Sequence, residues 1–525
     1  MFMERRKQLI VAIPLILLAG LGFVLPSANS SILASPDETA AYIASTRMGV
    51  WKPAAIAEPL AEEFPWLHPR SWISQGQYIV PIGFLGWPWF LSFFSLMGEK
   101  FPVFIGTIVI LSSAYPLLHL LSAFGKRGAF WGTVLYLTYP PFILYANRSL
   151  FANGAVISGF IWSIFLLKSL TSRELSDKKR HVLILVTGLI IGLTIAVRPV
   201  EMLWILPWFI WAGQGITITK KHSAWFIVGL TLILLPLGFQ ALLIYGNPTI
   251  SGYQLSDNPL PYSLRSDVPV VVREGILDRV LPYGFHPRNI LWNIKSFFFN
   301  YLRAWMIPIV IFLGLYLPKI RRPKILKDLL HPLWLSIWTA VVLLVIYGSG
   351  IFLDHVQIGA VTIGNSFLRY ALPIVFLIAV SIAYLWKRAE EKTHFIVALT
   401  ILSVSLGLFG AYKAMSGDDE SILTTRPELM RYAEVRESAG EWFDEKDVIL
   451  SERSDKIFFP VFRAVSPLPK ESEIGRLVNG TDIQVGLYAR PLSQKEKDTW
   501  KKFGVEVIEL GSFAREKLYL LKPST

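Results

Sequence analysis

Apolar runs of about twenty residues, the length that lets a helix cross a hydrocarbon layer roughly 30 Å thick, recur along most of the chain. Of the 525 residues, 53% are hydrophobic, and the mean hydropathy is +0.48. The sequence therefore predicts a polytopic α-helical membrane protein. The runs cover residues 9–25, 78–97, 101–124, 129–145, 155–170, 182–197, 202–216, 225–245, 297–317, 333–350, 370–386 and 395–412.

The net charge of +13 arises from basic residues that fall in short clusters between these apolar runs. Such a distribution orients membrane helices and does not indicate a nucleic-acid-binding surface, so no nucleic acid is expected as a partner. The sequence contains no cysteine, which excludes disulfides and thiolate metal ligands.

The basic clusters also predict the topology. If every run crossed, the clusters at 126–127 and 173–181 would lie outside, against the positive-inside bias. Residues 78–97, rich in aromatic side chains and containing Pro81 and Pro88, are therefore predicted to be interfacial or re-entrant. The remaining eleven spans place the N-terminus in the cytoplasm of a multi-pass, plasma-membrane protein, with long outer loops at 26–100 and 246–295. A cleaved signal peptide is the alternative for the first run.

The composition becomes charged and mixed after residue 412, which predicts two domains. Residues 1–412 would form the transmembrane domain, and residues 413–525 a small extracytoplasmic α/β domain. In the latter, residues 427–442 have a helical pattern, and short runs typical of strands follow at 448–450, 485–488, 505–510 and 518–521.

Ser35-Pro36-Asp37-Glu38 lies near the start of the first outer loop. Its order is typical of a helix start, with Ser35 as N-cap, proline next and acids in the first turn. A carboxylate beside the lipid phase is also partly desolvated, which raises its pKa and its strength as a base. Asp37 and Glu38 are therefore candidate catalytic residues, and for Asp37 a capping role and a catalytic role both stay open. Other acids of the same loop are the alternatives, namely Glu58, Glu62 and Glu63.

The apolar first helix, the loop with Pro36-Asp37-Glu38-Thr39 and Tyr42, and the aromatic segment that follows resemble the GT-C superfamily of polyprenyl-phosphate-sugar-dependent glycosyltransferases. Protein O-mannosyltransferases and lipid A aminoarabinose transferases are members. The resemblance covers residues 1–412 and implies that Asp37 is catalytic. It also implies a polyprenyl-phosphate-linked sugar as donor, a glycan, lipid or protein as acceptor, and membrane lipids as surroundings.

Many relatives carry a second acidic residue in the next outer loop, where this chain has Asn153. An amide cannot act as a base, which argues against a two-carboxylate or carboxylate–metal arrangement in that loop. No metal ligand is assigned, and a requirement for a divalent metal stays open.

Three arginines, Arg148, Arg198 and Arg369, lie on the predicted outer side, against the positive-inside trend. A guanidinium binds phosphate through paired hydrogen bonds, so they are candidate ligands of the donor phosphate. For Arg198, an equal alternative is a structural role in a helix hairpin, in which Pro199 ends the helix and Arg198 forms an ion pair with Glu201. For Arg148, the alternative is a side chain that extends toward the lipid headgroups.

His68 and Arg70 in the first outer loop are further candidates for substrate binding, as is Tyr253 after the turn sequence Gly246-Asn247-Pro248. A structural role is the alternative, since His-Pro, Gly and Asn-Pro commonly form turns.

The features together predict an inverting glycosyltransferase that moves a sugar from a polyprenyl phosphate to an acceptor on the outer face. A membrane transporter or lipid flippase is the alternative, because intramembrane charges in such proteins bind translocated substrates. Transporters commonly contain duplicated halves, which this sequence lacks. A membrane-anchored sensor would not need so many spans.

Overall fold

A computed structural model describes residues 32–171, 175–217, 219–255, 281–316, 326–352, 360–390 and 393–524. The predicted first helix at 9–25 lies outside the described residues, as does part of the predicted outer loop at 246–295. The helices are α1 (Pro36–Gly49), α2 (Gly86–Ser95), α3 (Phe101–Ser112), α4 (Ala114–Leu121), α5 (Lys126–Thr138), α6 (Pro140–Asn147), α7 (Ala152–Leu170), α8 (Asp177–Val197), α9 (Met202–Gly213), α10 (Lys220–Tyr245), α11 (Gly252–Leu255), α12 (Pro287–Asn293), α13 (Arg303–Tyr316), α14 (Leu326–Ile346), α15 (Ser366–Tyr370), α16 (Val375–Ala389), α17 (Thr393–Ser416), α18 (Ile422–Ala439), α19 (Asp455–Phe458), α20 (Glu471–Gly480) and α21 (Gln494–Lys502).

The strands are β1 (Ile56–Ala57), β2 (Trp72–Gln75), β3 (Tyr78–Pro81), β4 (Val448–Ser451), β5 (Arg463–Val465), β6 (Val485–Ala489), β7 (Val505–Phe513) and β8 (Glu516–Pro523). The chain divides into two compact units. The helical unit takes its described residues from Val103–Leu235 and Asp257–Thr424. The mixed unit takes them from Ala28–Pro102, Pro236–Ser256 and Thr425–Thr525.

Six helical segments among the described residues are long and apolar enough to cross a membrane. They are Phe101–Phe124, Ala152–Leu170, Asp177–Val197, Lys220–Tyr245, Leu372–Ala389 and His394–Ser416. A seventh crossing results if Pro287–Tyr301 and Arg303–Leu315, bent by 102°, count as one span. The prediction of an integral, multi-pass helical membrane protein is confirmed, while the count of eleven spans stays a prediction.

Two predicted apolar runs have a different local structure. Residues 129–145 are not one helix. Pro140 and Pro141 lack backbone N–H donors, so the helix ends with α5 and a new helix, α6, begins at Pro140. Residues 78–97 contain β3 and then α2, whose 10 residues are too few for a helix to cross a bilayer. This local structure agrees with the prediction that residues 78–97 do not cross.

In the helical unit, α16 is the central element. Its residues are buried except Lys387 and Arg388 at its end, and it packs against α5, α13, α14 and α17. Gly128 and Gly132 allow α5 to come close, because a Cβ at these positions would lie 2.6 Å from Ala383 O and 2.9 Å from Ala379 O. Small residues at such crossings are typical of membrane helix pairs.

In the mixed unit, the C-terminal part is a five-stranded sheet of order β5-β4-β6-β8-β7. Strands β5, β4 and β6 are parallel, whereas β8 and β7 are antiparallel to their neighbours. The small C-terminal α/β domain is therefore confirmed, including α18 and the four predicted strands β4, β6, β7 and β8. Strand β5, which has only three residues, was not predicted from the sequence.

The described residues of the predicted first outer loop belong to the same unit. The strands of this loop form a three-stranded antiparallel sheet of order β1-β3-β2. Ile43, Trp72 and Ile79 from this loop share one hydrophobic core with Phe458 and Ala464 from the C-terminal domain. The compact unit thus includes both the predicted loop at 26–100 and the C-terminal sheet, and the domain boundary at residue 413 stays a prediction.

Candidate active site

Asp37 lies in the first turn of α1. Ser35 is the N-cap, and its hydroxyl accepts a hydrogen bond from Asp37 N at 3.3 Å, with Pro36 following it. The predicted helix start is therefore confirmed. The Asp37 side chain is half-buried, and its Oδ1 accepts a hydrogen bond from Ser71 Oγ at 2.5 Å. Glu38 beside it is buried, with 4% of its surface exposed.

Arg70 fixes the chain next to Ser71. Its backbone N and its Nε donate to the two oxygens of Asp455, each at 2.8 Å, and Nη2 donates to Arg453 O. Asp455 is 1% exposed, so this is a buried carboxylate with a charged partner and a backbone donor. In this structure, the Arg70 guanidinium connects the first outer loop to the C-terminal domain.

His68 and Glu58 lie in the same unit. Burial lowers the pKa of His68, while the Pro69 carbonyl and Asp455 oppose that change. Burial raises the pKa of Glu58, against the opposing effects of Arg463, at 3.4 Å, and of the Leu60 N–H. Both residues contact the C-terminal domain. Glu58 does so through Arg463, and His68 through its carbonyl, which accepts a hydrogen bond from Ser466 N at 3.3 Å.

The two remaining alternative acids, Glu62 and Glu63, are exposed. Glu62 accepts from Gln77 Nε2 at 2.7 Å, and Glu63 lies 3.7 Å from Arg476. Of the acids in the loop, Asp37 and Glu38 are those in the first turn of α1.

Tyr253 lies in the short helix α11, with its ring 5.4 Å from Phe84 and about half of its surface exposed. Gly252 allows close approach to the first outer loop, since a Cβ there would lie 2.4 Å from Pro81 O. Tyr245 supports the same contact by donating to Pro81 O at 2.7 Å.

In the helical unit, Arg198 follows the last residue of α8 and pairs with Glu201. Its Nε lies 3.0 Å from Glu201 Oε1, and its Nη2 donates to Tyr347 Oη at 3.1 Å. Tyr347 in turn donates to Glu201 Oε1 at 2.8 Å, and Trp204 Nε1 donates to Glu201 Oε2 at 2.5 Å. The predicted Arg–Glu pair is therefore present.

Arg369 lies in α15 and is buried. Its Nη2 donates to Ser366 Oγ at 3.1 Å and to Tyr370 Oη at 3.2 Å. Its guanidinium carbon lies 4.3 Å from the ring centre of Phe151, and that of Arg148 lies 4.8 Å from the same ring.

The rings connect all three arginines. Tyr347 stacks on Tyr370 at 4.4 Å, and the guanidinium carbons of Arg198 and Arg369 lie 4.9 Å and 5.0 Å from the Tyr370 ring centre. This group, the arginine cluster, comprises Arg148, Arg198, Arg369, Glu201, Phe151, Tyr347 and Tyr370. Three guanidinium groups and one carboxylate among these described residues favour an anionic ligand, and aromatic faces stabilise cations held in place.

Sequence reasoning selected the three arginines by their position alone and missed the rings that connect them. The pair Arg369-Tyr370 was visible in the sequence, but Tyr347 is remote in the chain and gave no signal. Ser71 and Asp455 were also missed, because an isolated hydroxyl and an acid 385 residues from Arg70 have no sequence pattern.

Within the part of the chain that the structure describes, no three His, Asp or Glu side chains come together as metal ligands would. Asn153 lies buried in the first turn of α7. The described side chains thus provide no set of acidic and histidine ligands to which a metal can be assigned.

No family model matches the sequence, and no curated protein matches it significantly. Solved structures do resemble the chain. ArnT from Cupriavidus metallidurans in the apo state has 11% identity and a TM-score of 0.58, with 98% of each chain covered. The same protein bound to undecaprenyl phosphate has 11% identity and a TM-score of 0.53 over 98% of each chain.

The oligosaccharyltransferase of Archaeoglobus fulgidus, in complex with Zn and sulfate, has 13% identity and a TM-score of 0.51. The match covers 93% of this chain and 69% of that one. ArnT and the oligosaccharyltransferase are both GT-C glycosyltransferases. The chain therefore has the polytopic GT-C fold of these solved structures, which confirms at the level of fold the resemblance seen in the sequence.

Proposed function

We propose that the protein is an inverting membrane glycosyltransferase that moves a sugar from a polyprenyl phosphate to a hydroxyl acceptor on the outer face of the membrane. The observation that carries the proposal is the half-buried Asp37 carboxylate at the start of α1, held by Ser71 in a chain with the GT-C fold. ArnT binds undecaprenyl phosphate in one of its structures, which supports a polyprenyl-linked donor here.

Asp37 is the general base. The acceptor hydroxyl gives its proton to the Asp37 carboxylate as its oxygen attacks the anomeric carbon. The bond between that carbon and the phosphate oxygen breaks, and the polyprenyl phosphate leaves with the electron pair. A positioned base contributes about 10²–10⁴ to such a rate. A single displacement inverts the anomeric centre. Glu38, buried next to Asp37, is the second candidate in the same turn.

The arginine cluster binds the phosphate of the donor. Arg369 and Arg198 are the principal ligands, and Arg148 is the third. Charge-assisted hydrogen bonds from guanidinium groups neutralise the charge that grows on the leaving phosphate, and such electrostatic stabilisation commonly contributes more to the rate than any other single effect.

Of the three predicted substrate-binding residues in the mixed unit, we assign direct contact with the substrate to Tyr253. Tyr253 has an exposed aromatic face, which suits a sugar or the acceptor. His68 and Arg70 are held by the C-terminal domain, so we assign them a structural role, which is to fix the conformation of the loop next to the site. Whether a divalent metal takes part stays open, and no step is assigned to one.

The N-terminus would then lie in the cytoplasm and the C-terminal domain outside, where a glycan, lipid or protein supplies the hydroxyl. The positive-inside distribution of basic clusters supports that orientation. Nothing in the described residues specifically favours the transporter or flippase alternative.

The test is to incubate purified protein with labelled polyprenyl-phosphate hexoses and pentoses and with membrane extract as the source of acceptors. We expect at least one donor to be cleaved to polyprenyl phosphate with transfer of its label. Intact donors throughout, combined with movement of labelled lipid across vesicles that contain the protein, would instead establish the transporter.

A further inference from the structure

The chain around Ser71 is held in an uncommon backbone conformation. Ser71 has φ of +64°, in the left-handed region that few residues other than glycine adopt. Its carbonyl accepts a hydrogen bond from Ile82 N at 2.9 Å, and the residue after it, Trp72, is fully buried. Such a conformation persists only where the surrounding structure fixes it, and it is found most often at functional sites.

The C-terminal domain supplies contacts to the residues on both sides of Ser71. Asp455, almost fully buried at the start of α19, binds both the backbone N and the Nε of Arg70, the residue before Ser71. On the other side, the Trp72 ring lies 5.4 Å from Phe459. Lys456 donates to Ala34 O at 2.9 Å, next to the cap of α1. The C-terminal domain therefore holds both the loop that carries Ser71 and the start of the helix that carries Asp37.

We propose that the C-terminal domain positions Asp37 for catalysis through the series Asp455, Arg70 and Ser71. The Ser71 hydroxyl donates to Asp37 Oδ1 and so fixes the orientation of the carboxylate toward the acceptor. Ser71 is a positioning residue, since it acts through Asp37. The inference rests on the proposed function and assigns a role to the C-terminal domain.

The substitution Ser71→Gly separates the effect of the hydroxyl from the effect of the backbone conformation. Ser71→Gly removes the hydrogen bond but accepts a positive φ without strain, so the variant should be at least as stable as the parent. We expect its melting temperature to be unchanged or higher, its KM for donor to be within about twofold of the parent, and its kcat to fall about ten- to a hundredfold, as for a modest misplacement of a reacting group. Parent-level kcat in Ser71→Gly would overturn the proposal.

A double-mutant cycle tests whether Ser71 acts through Asp37. In the Asp37→Asn background, Ser71→Gly should lower the residual single-turnover rate no further. An equal loss in both backgrounds would overturn the positioning role. Parent-level activity of Asp37→Asn alone would refute the proposed function itself, and the two failures are thereby distinguished.

Asp455→Asn tests the connection to the C-terminal domain. It removes the charge that holds Arg70, and Arg70→Lys is the milder variant if the first does not fold. The kcat loss in either variant should be less than additive with that of Ser71→Gly, because both changes disturb one series of contacts. Fully additive losses would show that the C-terminal domain does not act through Ser71.

Discussion

At the scale of single residues, the arginine cluster makes a specific prediction about the donor. Arg369→Ala should weaken binding of undecaprenyl phosphate about ten- to a hundredfold, since a hydrogen bond to a charged group contributes about 1.5–3 kcal/mol. Arg369→Lys should retain only part of the lost affinity, because an ammonium lacks the planar, paired N–H donors of a guanidinium. Quenching of intrinsic tryptophan fluorescence on addition of the lipid gives the affinity.

Arg515→Ala is the matched control, because Arg515 is exposed at the turn between β7 and β8. Affinities of Arg369→Ala and Arg198→Ala that both equal the control would remove the cluster from the donor site.

His68 gives a prediction for pH. Burial lowers its pKa in the folded protein below the value of about 6.5 expected in the unfolded chain. The unfolded chain therefore takes up a proton first, so the stability gained from neutral His68 is present above about pH 6.5 and is lost as the pH falls through the folded-state pKa. The melting temperature of His68→Gln should consequently fall less than that of the parent on acidification.

The matched control for His68 is the exposed His394. Thermal melts of parent, His68→Gln and His394→Gln over the same pH series provide the measurement. Equal slopes for all three curves would contradict this role of His68.

Sequence reasoning at this scale succeeded where the signal was local. Ser35, Pro36 and the acids after them predicted a helix start, and the structure has one. Arg198 and Glu201 are near neighbours in sequence and form their pair. Ser71 and Asp455 could not be predicted, because their importance arises from contacts with residues 34 and 385 positions away.

At the scale of elements, Gly252 is required for the approach of α11 to the first outer loop. A Cβ would lie 2.4 Å from Pro81 O and 2.5 Å from Ile82 Cα, and backbone atoms cannot move aside as a flexible side chain can. Gly252→Ala should therefore destabilise the protein by about 1–3 kcal/mol, the usual effect of overpacking.

Gly83 is the control in the same region, since a Cβ there meets nothing within 4 Å. Guanidinium denaturation of Gly252→Ala and Gly83→Ala compares the two. Equal midpoints would mean that α11 does not need to approach so closely.

The elements that the sequence predicted well are those with a clear period or composition, such as the strands of the C-terminal sheet. The sequence did not predict a change of direction inside one apolar run. Residues 297–317 read as one span, but the structure has a π-helical segment, Ile294–Tyr301, followed by α13 after a bend of 102°. A hydropathy pattern records apolar length and does not record the direction of the helix axis.

At the scale of the whole molecule, the orientation in the membrane is directly testable, because the chain has no native cysteine. Lys126 and Asp482 are both exposed on the protein surface. A cysteine at position 126 should resist a membrane-impermeant maleimide added to intact cells, and one at position 482 should react. Permeabilised cells, in which both should react, are the control. Labelling of the Lys126 position from outside would refute the predicted topology.

The central claim is that Asp37 is the base of a glycosyl transfer, and single-turnover measurement of sugar transfer by Asp37→Asn tests it most directly. The amide preserves size but cannot accept a proton. With Asp482→Asn as the same chemical change at an exposed site, we expect normal melting in both variants and a rate about 10²–10⁴ lower in Asp37→Asn alone. Transfer by Asp37→Asn at the parent rate would contradict the account.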